Sequence, residues 1–189
     1  PGRMDVYRAV SQEIHQIFHE FSPVVESVSV DEAFLDMTGC EHFYPSLEEM
    51  GQTIKRRIAA KTKLTASVGI APNKLLAKIA SDLRKPDGLV VIRPEEVDKY
   101  LLPLSIRKIW GVGEKTAEIL SRYGVKTVAD MRRLSPEWLQ SILGKHGLHL
   151  YQLCRGIDHR EVIGTPEAAQ SIGHEITFET DLSTMDECR

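Results

Sequence analysis

The feature of this sequence that most restricts its fold is a change of hydrophobic pattern at Arg93-Pro94. Before that point, segments of helical period alternate with short runs rich in β-branched residues, an order typical of an α/β or α+β fold. After it, up to about Ile157, short amphipathic segments follow one another with glycine-containing turns between them. The sequence therefore predicts a mixed α/β portion joined to a small all-α module.

The first portion contains three predicted helices and four predicted strands. The helices are expected at residues 4–21, 46–60 and 72–83, and the strands at residues 24–30, 33–37, 64–70 and 89–92. Asp31-Glu32 lies between the first two strands, where a tight hairpin would turn. Both carboxylates are therefore expected at a hairpin tip.

The second portion contains helices only, and a short third segment follows it. The helices are expected at residues 95–102, 114–123, 128–132, 136–143 and 148–154. Residues 159–170 read as a polar linker, and a strand is expected at residues 171–178. The predicted division is thus 1–93, 94–158 and 159–189, and the two chain ends are expected to be cut ends of a longer protein.

Composition narrows the functional classes. A formal net charge of −3 argues against a uniformly basic nucleic-acid binder, although an acidic face can balance a basic one. Cys40, Cys154 and Cys188 are far apart, so neither a disulfide framework nor a zinc site is predicted, and a reducing intracellular setting fits best. His15 and His19 have a metal spacing but no evident third ligand. No apolar run approaches the roughly 20 residues of a membrane span.

Two adjacent carboxylates on a hairpin are candidates for a metal site. Mg²⁺ prefers hard oxygen ligands, commonly one or two protein carboxylates together with substrate phosphates. Two such ions about 3.5–4 Å apart can activate an attacking hydroxyl and stabilise a leaving pyrophosphate. The alternative is a solvated turn, in which Asp31 and Glu32 have no catalytic role. Asp36 lies further down the second strand, where a structural role is favoured.

A second candidate site is basic. Lys74 and Lys78 are four residues apart, which puts them on one helix face, and Lys85 follows just before Pro86. These side chains can receive a triphosphate or a DNA backbone. A solvated basic face is the alternative interpretation.

Residues 109–117 form the most specific local motif of the sequence. An apolar pair, the Gly111-Val112-Gly113 turn and a following helix are typical of a helix–hairpin–helix. The glycines allow close approach of a phosphate, the helix N-terminus offers unpaired N–H groups, and Lys115 adds charge. Such a site reads the DNA backbone rather than the bases. The alternative is a packing element without a ligand, and residues 143–147 suggest a second, weaker hairpin.

In combination and in order, these motifs resemble the Y-family translesion DNA polymerases, particularly the bacterial polymerase IV (DinB) branch. The matching segments are residues 29–36 and 67–82 for the palm, 85–88 for a lysine turn, 111–113 for the thumb and 171–175 for the entry to the little finger. The resemblance covers nearly the whole chain. It implies a DNA-directed DNA polymerase that bypasses damaged bases without proofreading.

The resemblance also implies roles for individual residues. Asp31 would bridge two Mg²⁺ ions, and Glu32 would bind the ion that activates the primer 3′ hydroxyl. Lys85 would hold the triphosphate of the incoming dNTP, and residues 111–113 would grip a backbone phosphate of the primer–template DNA. Ser29 would lie beside the primer end.

The sequence departs from the family pattern at both ends. The family's palm begins with a strand that carries another metal-binding Asp, and the fingers follow, but neither has a counterpart here. We therefore expect the chain to be inactive alone and to bind metal weakly. A sliding-clamp peptide would belong to a C-terminal region beyond Arg189. The resemblance further implies a monomer in the bacterial cytoplasm.

Two other functions compete with a polymerase. One is a non-catalytic helix–hairpin–helix DNA-binding module, and the other is a cyclase-like palm acting on a free nucleotide. The predicted thumb argues against the second, while Asp31-Glu32 and Lys85 argue against the first. A strand ending in Asp-x-Asp or Asp-Ala-Phe in the upstream reading frame would favour the polymerase.

Overall fold

The computed structural model describes residues 3–164, together with Gly173 and Phe178. A mixed α/β portion leads into an all-helical portion, as the change at Arg93-Pro94 predicted. Apart from Gly173 and Phe178, the strand predicted at residues 171–178 lies outside the described residues. Within the part that the structure describes, no helix is long and apolar enough to cross a membrane.

Polar side chains cap the starts of the second and third helices of the first portion. Ser46 accepts the Glu49 N–H at the start of the second helix, and Asn73 accepts the Leu76 N–H at the start of the third. The first helix ends earlier than predicted, because Phe21 donates to the Phe18 carbonyl in a tight turn. The three helices are α1 (Met4–Phe18), α2 (Leu47–Thr62) and α3 (Lys74–Leu83).

The strands are shorter than predicted and form two separate two-stranded sheets. They are β1 (Val25–Ser27), β2 (Ala33–Leu35), β3 (Val68–Ile70) and β4 (Leu89–Val91). β1 and β2 are antiparallel, whereas β3 and β4 are parallel. The first strand stops at Ser27 because the next two N–H groups, of Val28 and Ser29, both donate to the Glu32 carbonyl. That turn closes the hairpin predicted around the carboxylate pair.

Five short helices make up the second portion. They are α4 (Val97–Leu101), α5 (Glu114–Arg122), α6 (Val128–Arg132), α7 (Pro136–Leu143) and α8 (Lys145–Leu153). Gly144 alone joins α7 to α8, with φ 62° and ψ −146°, a backbone conformation open essentially to glycine. At Gly147 a Cβ would lie 2.2 Å from the Leu139 carbonyl oxygen, so α7 and α8 pack closely. The suggested second hairpin is present as this helix pair.

The main hydrophobic core joins the two portions. Leu75, Leu76 and Ile79 of α3 are buried in the same cluster as residues of α4 to α8, including Leu120 and Leu150. A separate cluster lies between α1 and α2. Helix α3 is therefore packed on the helical portion while its own sequence belongs to the α/β portion.

Candidate active site

The carboxylate loop, defined as residues 28–32, places its two acidic side chains in different surroundings. Asp31 is exposed, and its Oδ1 accepts a hydrogen bond of 2.7 Å from the Ser29 hydroxyl. Glu32 is half-buried and faces α3, where its Oε1 lies 2.5 Å from Lys78 Nζ. One carboxylate is thus open to solvent, and the other is held by an ion pair.

Glu32 belongs to a cluster of four charged side chains at the end of α3. Asp82 accepts from Lys85 at 2.6 Å and lies 3.5 Å from Lys78, while Lys85 Nζ lies 4.0 Å from Glu32. Burial lowers the pKa of Lys78, but the hydrogen bond that Lys78 donates to Glu32 and the charges of Asp82 and Glu32 outweigh burial and raise the pKa. Lys78 therefore stays protonated, and the exposed Lys85 can reach a further anion.

Asp82 is the last residue of the palm-like segment 67–82, and the sequence did not indicate a role for it. Its position four residues after Lys78 and three before Lys85 is the spacing at which helical ion pairs form. Burial raises the pKa of Asp82, yet the hydrogen bond from Lys85 and the charge of Lys78 outweigh it, so the pKa is lowered. Spacing alone could have identified this residue.

The structure corrects the prediction for Lys74. This lysine was expected beside Lys78 on a face open to phosphates, but it is 7% exposed. Its Nζ lies 2.6 Å from both carboxylate oxygens of Glu26 and 3.2 Å from the Glu161 carbonyl. Burial raises the pKa of Glu26, but Lys74 and the Ile163 N–H outweigh it and lower the pKa. Lys74 is thus part of the interior, because the first turn of α3 is covered by the β1–β2 hairpin and by residues that follow α8.

A buried lysine that the sequence did not single out supports the turn bearing Lys85. Lys55 of α2 is 8% exposed and donates from Nζ to the Ala66 carbonyl at 2.6 Å and the Asp87 carbonyl at 2.7 Å. It also pairs with the Asp87 carboxylate and lies 3.3 Å from the Gly88 carbonyl. The turn is thereby tied to α2. The only signal in the sequence was a charged residue next to Ile54 on the apolar side of the helix.

The Gly-x-Gly turn leads directly into α5. Gly111 has φ +94°, and Gly113 precedes the first residue of α5 with no side chain capping the helix start. The first-turn N–H groups of α5 have no intrahelical acceptor, and they give that end a partial positive charge. Val112 packs on the main core, and Lys115 is exposed. His146 of α8, which the sequence did not indicate, lies 3.1 Å from the Gly111 carbonyl.

One open groove of about 1780 Å³ connects these features. It is lined by the carboxylate loop, by the turn after α3 and by the start of the Gly-x-Gly turn. The lining residues include Asp31, Glu32, Lys78, Lys85, Trp110, Gly111 and Val112. The structure therefore brings most of the predicted site residues to a single concave surface, while Lys74 lines it with its buried side chain.

Asp31 and Glu32 provide the kind of ligand atom that a divalent cation prefers. Carboxylate oxygens suit Mg²⁺, and two of them from Asp31 and Glu32 match its usual number of protein ligands. Among residues 3–164, no group of three His, Cys, Asp or Glu side chains is arranged to hold a metal ion. The pair fits Mg²⁺ chemically, and it forms an incomplete protein site.

The residues that line this groove lie in a sequence that matches known proteins along almost its whole length. Residues 1–82 match the impB/mucB/samB family, and residues 107–158 match the thumb domain of DNA polymerase iota. The chain is 46% identical to DNA polymerase IV of Pseudomonas paraeruginosa over 98% of its length and 53% of the relative. It is 43% identical to DNA polymerase IV of Ralstonia nicotianae over its full length and 53% of the relative.

Solved structures of DNA polymerases also resemble this chain. DinB from Sulfolobus solfataricus has a TM-score of 0.77 at 36% identity, with 87% of this chain and 49% of that chain covered. An insertion ternary complex of Dbh DNA polymerase has a TM-score of 0.78 at 36% identity, with 86% and 48% covered. The chain thus spans about half the length of the relatives it matches. It belongs to the DinB, or DNA polymerase IV, branch of the Y-family DNA polymerases.

Proposed function

We propose that this chain is the central part of a template-directed DNA polymerase, which transfers dNTPs to a primer 3′ hydroxyl and copies past damaged bases. The observation that carries the proposal is the single groove lined both by the carboxylate loop and by the Gly-x-Gly turn. A nucleotidyl transferase needs acidic metal ligands and a grip on the duplex backbone at one surface. The family relationship supports lesion bypass as the biological role.

Each residue of the proposed site has its own role in the reaction. Asp31 and Glu32 would hold Mg²⁺, which would stabilise the charge that develops on the transferred phosphate and on the attacking oxygen. Ser29 orients Asp31 through its 2.7 Å hydrogen bond and lies beside the primer end. Lys85 contacts the triphosphate, and Lys78 keeps Glu32 oriented.

A third carboxylate must come from another part of the full-length protein. β2 pairs with β1, and β3 pairs with β4, so the described strands leave the sheet divided. The groove between the two halves is lined by strand residues such as Leu35 and Val68 and by apolar helix residues such as Ile14 and Ile54. We propose that a strand preceding Pro1 in the intact enzyme fills this gap and carries the missing ligand. The chain alone is then inactive.

The domain division follows from the same assignment. Residues 1–93 are proposed as the palm portion, 94–158 as the thumb, and 159–189 as the linker and start of the little finger. The two family matches, to residues 1–82 and 107–158, support the first two limits. The intact enzyme is proposed to act as a monomer in the bacterial cytoplasm, with any sliding-clamp peptide beyond Arg189.

The direct test is primer extension by the full-length protein. With primed template, four dNTPs and Mg²⁺, the primer should lengthen, and chelation of the metal should stop extension until Mg²⁺ is restored. A template with an abasic site should also be copied. Tight duplex binding without extension would overturn the proposal in favour of a non-catalytic helix–hairpin–helix module, for which the uncapped start of α5 is the specific support.

Gly113→Ala is expected to weaken duplex binding about tenfold, to a similar extent for every sequence, because the added methyl group keeps a phosphate from the backbone. Gly113 has φ −78°, and an added Cβ would have no heavy atom within 4 Å, so the fold should be retained. Fluorescence anisotropy with several duplexes measures the loss. An unchanged melting temperature is the control.

Gly111→Ala, unlike Gly113→Ala, is expected to change the backbone conformation of the turn. Its φ of +94° is unfavourable for alanine, and its Cβ would lie 3.2 Å from His146 Cε1. This variant should lose stability as well as DNA affinity. Loss of affinity by Gly113→Ala for one sequence only would contradict backbone recognition.

A further inference from the structure

Trp110 stands outside the hydrophobic core and is 39% exposed. Its ring stacks on Phe34 with centroids 6.0 Å apart and planes inclined by 28°. The guanidinium of Arg160 also lies over the indole ring, 4.4 Å from its centroid. Trp110 therefore connects three segments: the carboxylate hairpin, the thumb turn and the residues that follow the thumb.

Phe34 belongs to the hairpin that carries the carboxylate loop. It lies in β2, two residues after Glu32, and is paired with Glu26 across the ladder. The Lys74 ammonium lies 5.2 Å from the Phe34 ring centroid and is itself bound to Glu26. The ring that Trp110 contacts is thus held by the buried ion pair under the hairpin.

Arg160 belongs to the segment that follows α8, and Asp158 holds its side chain in place. Its guanidinium makes two hydrogen bonds to the Asp158 carboxylate, of 2.7 Å and 2.8 Å. Asp158 has a side chain that is only 1% exposed, and it accepts the Leu75 N–H at 3.0 Å. Arg160 is therefore tied to the N-terminal turn of α3, the helix that also carries Lys78.

Trp110 is the residue immediately before Gly111, so its ring sets where the phosphate-binding turn begins. The turn and the carboxylate loop must engage one duplex at the same time, and an error of about 1 Å at a reacting centre can lower a rate about a hundredfold. Exposed aromatic and cation–π contacts contribute little to folding, so this stack is better suited to alignment than to stability.

We infer that Trp110 is a positioning residue, which aligns the DNA-binding turn with the catalytic carboxylates through its stack with Phe34 and Arg160. This inference rests on the proposed polymerase function. Trp110 acts through the placement of the turn, which determines whether a bound primer end reaches the carboxylates. Arg160 acts with Trp110 by holding its ring.

The test uses the full-length protein and single-nucleotide insertion. Trp110→Leu should lower kcat about tenfold while the duplex Kd changes less than about threefold. Trp110→Tyr, which keeps a ring, should recover most of the rate. Trp138→Leu is the matched control, since Trp138 packs on Tyr123 within the thumb at 4.8 Å between centroids and should leave kcat unchanged.

Arg160→Gln gives an independent measurement if Trp110→Leu folds poorly. It should lower kcat to a similar extent, and the double variant should be no slower than the slower single variant, because both remove one stack. Wild-type kcat retained in both single variants would overturn the inference. So would a parallel loss of DNA affinity. A wild-type protein without extension activity would instead refute the proposed function.

Discussion

Asp31→Asn and Glu32→Gln in the full-length protein should each lower Mg²⁺-dependent primer extension about a thousandfold, which corresponds to about 4 kcal/mol of activation free energy. Each change keeps the size of the side chain but removes the charge that holds the metal. Single-turnover extension under saturating dNTP measures the loss. Duplex affinity should stay nearly unchanged, since the phosphate-binding turn lies on the thumb.

Asp36→Asn is the matched control on the same hairpin. Asp36 accepts the Thr38 N–H at 3.0 Å, and hydrogen bonds from Thr38 lower its pKa, which indicates a role in closing the turn after β2. An asparagine can accept the same bond, so extension should persist. Undiminished extension by either Asp31→Asn or Glu32→Gln would show that the metal site has been assigned to the wrong residues.

Lys55→Met should lower the free energy of unfolding by about 3 kcal/mol, because it leaves buried carbonyl groups and the Asp87 carboxylate without their donor. Methionine fills a similar volume, so the loss reports the hydrogen bonds rather than a cavity. Urea unfolding followed by circular dichroism measures it. The KM for dNTP should rise as well, since the turn that bears Lys85 is no longer tied to α2.

Lys61→Met serves as the comparison on the same helix. Lys61 is exposed in the last turn of α2, and surface substitutions usually change stability by less than about 0.5 kcal/mol. A stability loss below about 1 kcal/mol in Lys55→Met would mean that water replaces the ammonium at little cost. The positioning role of Lys55 would then be untenable.

The sequence predicted local structure best where local chemistry determines it. α6 and α7 have the predicted bounds because Thr127 and Ser135 cap them, and Pro136 fixes the start of α7. Strand lengths were overestimated because a run of β-branched residues continues as a strand only where a partner accepts its N–H groups. At Val28 the acceptor is the Glu32 carbonyl within the loop.

Contacts between distant segments could not be read from residue spacing. Helical period put Lys74 and Lys78 on one face, as found, but it could not show that the hairpin and Glu161 cover the first of them. Likewise, nothing in the sequence places Arg160 over Trp110. The order of the motifs drew attention to the carboxylate pair and to the Gly-x-Gly turn. Their contacts with other segments, such as Glu32 with Lys78 and Gly111 with His146, required the folded structure.

Helix α3 has a consequence for how these polymerases can diverge. Leu75, Leu76 and Ile79 belong to the main core shared with α4 to α8, whereas Lys78 and Asp82 on the same helix lie beside the carboxylate loop. A thumb exchanged between relatives at Arg93-Pro94 would meet a foreign α3 and lose part of its core. The unit that can be inherited intact therefore includes α3, so the helical portion and the proposed catalytic centre are constrained to evolve together.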